Sequence, residues 1–248
     1  MEALVHRAVV AMRDRYDEPL SLDALAKVAM MSKFHFLRTF QNVTGVTPAR
    51  FLSAVRINEA KRLLRTTSLN VLDVSIQVGY NSVGSFTRRF TESVTLSPTQ
   101  YRRSFQGDTT ARANPLGSSR VRPLTGSIVG VVKGLGDQPG PVYVAACRSR
   151  IPEGLPVACD MVNASGIFRL RAVPAGTWYL LVASAAPAGD QPRLQIASVG
   201  PVRVTPGMQV HLTATVHPLR WNDPPLLIAL PGLDPLAPAC GDLPILSQ

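Results

Sequence analysis

Residues 32–51 read SKFHFLRTFQNVTGVTPARF, and residues 82–101 read SVGSFTRRFTESVTLSPTQY. Laid over one another at an offset of 50, they agree where helices and their starts need agreement. Ser32 meets Ser82, Phe36 meets Phe86, Arg38 meets Arg88 and Phe40 meets Phe90; Thr47-Pro48 then meets Ser97-Pro98, and Phe51 meets Tyr101. Upstream the offset falls to 49: Ser21, Leu22, Leu25 and Ala26 meet Asn70, Val71, Val74 and Ser75. One extra residue therefore sits in the second turn, around Tyr80-Asn81. A duplicated supersecondary unit explains this better than chance.

Each copy reads as helix, tight turn, helix. Ser21 and Asn70 are N-cap residues placed before an apolar-periodic run. Leu22, Leu25 and Ala29 share one helical face, as do Val71, Val74 and Val78. Ala26 and Ser75 are small where two helices must approach. Gly79 suits a turn that demands positive φ, whereas the first copy carries Met30 there.

The second helix of each copy points to chemistry. Phe36, Phe40 and Val43 recur at i, i+4 and i+7 and should be buried, leaving Lys33, Phe34, Leu37, Arg38 and Gln41 on the other face. In the second copy Phe86 and Phe90 bury, and Val83, Gly84, Thr87 and Arg88 face outward. A face mixing arginine, small polar and exposed apolar groups is a poor solvated surface. It suits base edges and thymine methyls in a major groove; the blander reading is an inter-domain contact through Phe34 and Leu37. Thr47 and Ser97 cap helices that begin at Pro48 and Pro98. The helix from Thr47 to about Arg65 is roughly 28 Å long at the helical rise per residue. Such a rod can separate two reading helices by about one turn of B-DNA, ~34 Å.

Composition fits the same picture. The chain has 248 residues and a net charge of +10, with 18 Lys+Arg against 9 Asp+Glu in residues 1–122 and 8 against 7 thereafter. Only 4 of the 21 prolines fall in the first part. Nearly all the positive field thus belongs to a helix-favouring region, a footprint for a polyanion. With 46% hydrophobic residues the chain is no disordered protein. No apolar run reaches the ~18 residues of a membrane span, and the N-terminus lacks a signal-peptide core. A cytoplasmic protein without membrane association is expected. Residues 107–122 are polar and aperiodic and read as a linker.

These residues resemble the DNA-binding domain of the AraC/XylS family of bacterial transcription regulators. The resemblance spans about residues 4–105, in LSLDALAKVAMMSKFHFLRTFQNVTGVTPARFL, RINEAKRLLR and VLDVSIQVGYNSVGSFTRRFTESVTLSPTQYRR. It implies two helix-turn-helix units, asymmetric double-stranded DNA sites in promoters, and recruitment of RNA polymerase by an activator. Carried over position by position, it implies base reading by Phe34, Leu37 and Arg38 in the first unit, and by Val83, Gly84, Ser85, Thr87 and Arg88 in the second. Phosphate contacts fall to Ser32, Lys33, Ser82 and Arg89. Arg38 and Arg88 are the sharpest candidates, because a guanidinium can bind guanine O6 and N7 together. Gly84 has no side chain, so the second helix is expected to lean on shape and backbone contact.

From residue 123 to 217 the period changes. Residues 127–132, 142–146, 166–170, 178–182, 201–204 and 210–216 are short β-rich runs punctuated by glycine and proline, as in an antiparallel β-sandwich. The phrases GSIVGVVKGLGDQPGPVYVAACRS and SGIFRLRAVPAGTWYLLVAS resemble the carboxypeptidase regulatory-like, transthyretin-like sandwich, which implies a binding or assembly module without catalytic residues. The expected fold class is therefore multidomain α plus β, with an all-α domain over residues 1–106 holding two helix-turn-helix units, then the sandwich.

Trp178 and Tyr179 straddle the two sheet faces, so one belongs to the core and the other to the surface, as an ordinary aromatic or a ligand contact. Cys147 and Cys159 flank residue 153 symmetrically, and a hairpin centred there places them roughly cross-strand. A reducing compartment favours two buried thiols over a redox switch. His211 and His217 have no ligand partners at metal spacing, so neither metal nor other cofactor is expected. The tail from residue 218 to 248 is proline-rich yet apolar, and is expected on the sandwich, on the helical domain or on a second subunit, with disorder as the alternative.

The function expected is a sequence-specific DNA-binding transcription regulator whose sandwich senses a small-molecule effector or drives self-association into a homodimer. An architectural protein-interaction module is the alternative. A DNA-repair alkyltransferase fused to a DNA-binding domain needs a Pro-Cys-His-Arg setting, but Cys147 stands in Ala146-Cys147-Arg148, so no enzyme is expected.

Overall fold

The structure, a computed structural model, describes residues 1–106, 124–136, 140–162, 165–186, 192–230 and 232–237. The expected linker 107–122 and the tail beyond residue 237, with Cys240, lie outside them. The described residues divide into two compact units: those of 1–106 with 220–229, and those of 124–219 with 230–237.

Seven helices build the first unit among its described residues: α1 (Glu2–Asp14), α2 (Leu22–Val28), α3 (Lys33–Thr44), α4 (Pro48–Thr66), α5 (Val71–Gln77), α6 (Val83–Val94) and α7 (Pro98–Phe105). Their starts follow from side-chain chemistry. The Ser21 hydroxyl accepts from the Ala24 amide, the Asn70 carbonyl oxygen accepts from the Asp73 amide, and Ser97 with Gln100 forms a reciprocal capping box. Pro48 and Pro98 stand at the first helical positions of α4 and α7. Helix α1 buries Val5, Ala8, Val9 and Met12 on one stripe.

The duplication extends into the core. Phe36 and Phe40 are buried with ring centroids 5.4 Å apart, and Phe40 meets Phe51 at 5.6 Å. In the second copy Phe86 meets Phe90 at 5.6 Å, and Phe90 meets Tyr101 at 5.7 Å. Val43, expected in the core, is only half-buried. The two turns also match. Met30 and Gly79 both have positive φ, 53° and 79°. The amides of Met31 and Tyr80 reach back to the carbonyls of Ala26 and Ser75 at 2.9 Å each. Met30 therefore takes the left-handed conformation that glycine takes in the second copy.

The second unit contains β1 (Thr125–Lys133), β2 (Val142–Cys147), β3 (Ala158–Val162), β4 (Ile167–Pro174), β5 (Gly176–Ala186), β6 (Arg193–Val204), β7 (Gln209–Thr215) and β8 (His217–Pro218). They form a sheet of order β4-β1-β7 and a sheet of order β3-β2-β5-β6-β8. Ile128, Val144, Phe168, Leu170, Leu180, Val182 and Val204 belong to one buried cluster drawn from both. The wholly antiparallel expectation needs correcting, because β1 and β7 pair parallel, from Ser127↔Gln209 to Lys133↔Thr215. The intervening chain, which runs through the other sheet, supplies the crossover that a parallel pair requires. Gly130 allows it: a Cβ there would lie 1.8 Å from the Leu212 carbonyl oxygen.

Trp178 is the core member of the aromatic pair, its indole N–H donating to the Pro174 carbonyl at 2.7 Å, and Tyr179 is half-buried. The cysteine expectation also shifts. Cys159 faces Ala145, not Cys147, so the two thiols are diagonal neighbours, and only Cys147 is buried whereas Cys159 is exposed. The turn buries Ile151 and pairs the Val157 amide with the Ala146 carbonyl at 2.9 Å, which centres the hairpin one position early. Burial, reinforced by Cys159 and Glu153, pushes the Cys147 thiol up to about 12. It stays protonated at neutral pH and is a poor nucleophile.

Candidate nucleic-acid interface

Helices α3 and α6 bury the Phe36/Phe40 and Phe86/Phe90 pairs, and that burial fixes which residues face away. On α3, Phe34 is 80% exposed, Arg38 is exposed and Leu37 is half-buried. On α6, Val83, Gly84, Ser85 and Arg88 are exposed, and Thr87 is half-buried. Arg38 and Arg88 thus take the same place in the two copies. Their surroundings differ: Arg88 Nε donates to Glu92 Oε1 at 3.0 Å one turn on, where the first copy has Asn42.

The residues assigned to phosphates are placed less uniformly. Ser32 and Ser82 are the N-caps of α3 and α6, and the Ser82 hydroxyl accepts from the Ser85 amide at 3.4 Å. Lys33 Nζ lies 3.1 Å from Asp23 Oδ2, an exposed pair across the first turn. Arg89 is half-buried, and its Nε donates to the Ser53 hydroxyl on α4 at 3.0 Å. Gly84 is free of steric demand, since a Cβ there would meet only the Ser82 hydroxyl, at 3.6 Å.

An open groove of about 550 Å³ runs beside α6, lined among others by Ser53, Arg56, Tyr80, Ser85, Arg88 and Arg89. Tyr80 stands out in the sequence only as the site of the extra turn residue and Arg56 not at all, yet the two meet beside this groove. Arg56 Nε donates to the Tyr16 carbonyl at 2.6 Å and Nη2 to the Glu18 carbonyl at 2.7 Å, while the guanidinium lies 5.9 Å from the Tyr80 ring centre. Burial holds Arg56 below its ordinary range and pushes the Tyr80 phenol up. Beside them Gly79 packs on the Asp17 backbone so closely that a Cβ would sit 2.6 Å from its carbonyl oxygen. The Gly79 turn was visible in the sequence; nothing in the spacing of α4 marks Arg56.

Among the described residues no group of three or more His, Cys, Asp and Glu side chains is arranged to hold a metal ion, and no helix is long and apolar enough to cross a membrane.

Comparison with known proteins bears on residues 25–104, which match the model of a helix-turn-helix domain family. An uncharacterized HTH-type transcriptional regulator of Haemophilus influenzae is 36% identical over 100 residues, covering 40% of this chain and 34% of that protein. The HTH-type transcriptional activator AarP of Providencia stuartii is 30% identical over 105 residues, 42% of this chain and 78% of that protein. Among solved structures, the DNA-binding domain of the global transcriptional factor AdpA in complex with a target DNA is 27% identical, covering 43% of this chain and 96% of that one, at a TM-score of 0.41. The chain spans about a third of the length of the first curated relatives it matches.

Proposed function

We propose, from a chain that belongs to the AraC family of helix-turn-helix transcription regulators, that this protein binds promoter DNA sequence-specifically and regulates transcription. The two helix-turn-helix units, α2–α3 and α5–α6, enter successive major grooves on one side of the duplex. Phe34, Leu37 and Arg38 read bases from the first; Val83, Gly84, Ser85, Thr87 and Arg88 read from the second. Ser32, Lys33, Ser82 and Arg89 meet phosphates, with Arg89 first leaving Ser53. The observation that supports this most is the matched exposure of Arg38 and Arg88 on helices whose opposite faces are locked by equivalent phenylalanine pairs. Excess positive charge in residues 1–122 supplies sequence-independent affinity.

The protein acts as an activator that engages RNA polymerase. Its two β sheets form a transthyretin-like sandwich that senses a small-molecule effector or joins two copies into a homodimer. Selection from a randomised duplex library with the full chain tests the DNA reading: a bipartite preferred sequence is expected. A flat preference would overturn it and favour an architectural protein-interaction role.

A further inference from the structure

Residues 220–229 belong to the helical unit, although the chain on either side, up to Leu219 and from Leu230, belongs to the β unit. The start of this segment lies on α1 and on the end of α3. The Trp221 ring stands edge-on to His6 with centroids 4.9 Å apart, the Trp221 carbonyl accepts from Arg13 Nη2 at 3.2 Å, and Asn222 Nδ2 donates to the Val43 carbonyl at 3.4 Å. Its end lies on α4 and on the end of α6. Lys61 Nζ donates to the carbonyls of Leu226 at 3.0 Å and Ile228 at 3.2 Å, and the Ala229 amide donates to the Val94 carbonyl at 3.3 Å. Between these attachments Leu226 and Leu227 are buried.

Two features distinguish this from an incidental coat. Val43 and Val94 stand in the last turns of α3 and α6, whose final carbonyls lack partners within the helix, and the segment supplies a donor to each. Arg13 and Lys61 are both buried, and their cations lie 5.7 Å from the ring centres of Phe51 and Tyr101, which correspond in the duplication. A buried ammonium persists only where acceptors and ring faces replace its water, and the segment provides two of those acceptors. Eight residues from Asn222 to Ala229 thus touch the rear ends of both reading helices.

We propose that Arg220–Ala229 is a brace that sets the angle between α3 and α6, and so the spacing at which their front faces meet DNA. This rests on the DNA-reading proposal above. Each of these 12-residue helices is a lever of about 18 Å, so a shift at its rear end moves the exposed face at its front.

The test uses the full chain with Lys61→Met and, separately, Trp221→Ala, which spares the buried lysine should the first variant fold poorly. One measurement is amide hydrogen exchange at Gly45 and Thr95, the C-caps of α3 and α6. The other is affinity for the selected duplex, intact and with either half scrambled. Both variants are expected to speed exchange at both caps and to keep single-half affinity within about twofold. They are expected to lose about tenfold or more of the gain from having both halves, the gain that arises from linked binding. An unchanged two-half gain, or faster exchange only at the mutated end, would overturn the brace. If the wild-type chain shows no half-site preference, the DNA-reading proposal fails, and the exchange at the two caps still decides whether the segment couples α3 to α6.

Discussion

The two copies of the helix–turn–helix unit share a backbone and differ in what surrounds it. In the first turn Met30 holds a φ of 53° and is 74% exposed, with its sulfur 3.4 Å from Arg7 Nη1. In the second Gly79 holds a φ of 79° against the Asp17 backbone. The second position of contrast is the end of the reading helix, where Gly45 and Thr95 both take the left-handed cap, at φ values of 76° and 72°. The geometry is common property; the residue that fills it is set by whether a side chain has somewhere to go. On the exposed face the contrast runs the other way, because Phe34 and Gly84 occupy equivalent positions and neither is imposed by packing.

Exchanging the turn residues gives the largest expected effect. Gly79→Met drives a Cβ into the Asp17 carbonyl and should cost about 2–4 kcal/mol of stability by chemical denaturation. Met30→Gly, which relieves a strained conformation in open solvent, should instead gain up to about 1 kcal/mol. Equal losses in both would show that the turns share their surroundings as well as their shape.

Next come the readers. Arg38→Ala should cost about 1–3 kcal/mol of DNA affinity and relax preference at one base pair. Lys33→Ala should weaken binding to all sequences alike and make the salt dependence shallower by about one counterion. Binding titrations over a salt series on preferred and scrambled duplexes separate the two; a uniform loss from Arg38→Ala would remove its reading role.

Smaller again is Gly84→Ala. It should leave the fold intact and favour α6 by up to about 1 kcal/mol, helix propensity being its main consequence there. DNA affinity should fall, because the backbone no longer approaches closely. Unchanged affinity would mean that Gly84 is a mere gap. Last, Thr95→Gly should raise stability and Gly45→Thr lower it, each by about 1 kcal/mol, as read by thermal melting.

Much of the helical unit was legible in the sequence, because its signals are local. Ser21 and Asn70 cap as their positions suggest, Pro48 and Pro98 start helices, and the phenylalanine pairs at i and i+4 are buried. The positive φ of Met30 was hidden, since methionine rarely adopts it and only the match to Gly79 hints at it. Strand β3 escaped because ACDMV is short and carries Asp160, whose carboxylate accepts from the Arg169 amide at 2.9 Å. The β1–β7 pairing and the docking of residues 220–229 join segments far apart in the chain, and no periodicity reports them. On the candidate interface, outward positions followed from helical period, whereas Arg88–Glu92 and Arg89–Ser53 depend on which neighbours the fold delivers.

Reading by both copies at once is tested most directly by mapping the base preferences of Arg38→Ala and Arg88→Ala on one duplex. Each substitution should erase preference at a different base pair, the two lying about 10 base pairs apart on the same side of the helix. Loss at a single shared position, or from only one of the two arginines, would contradict a protein that grips two grooves together.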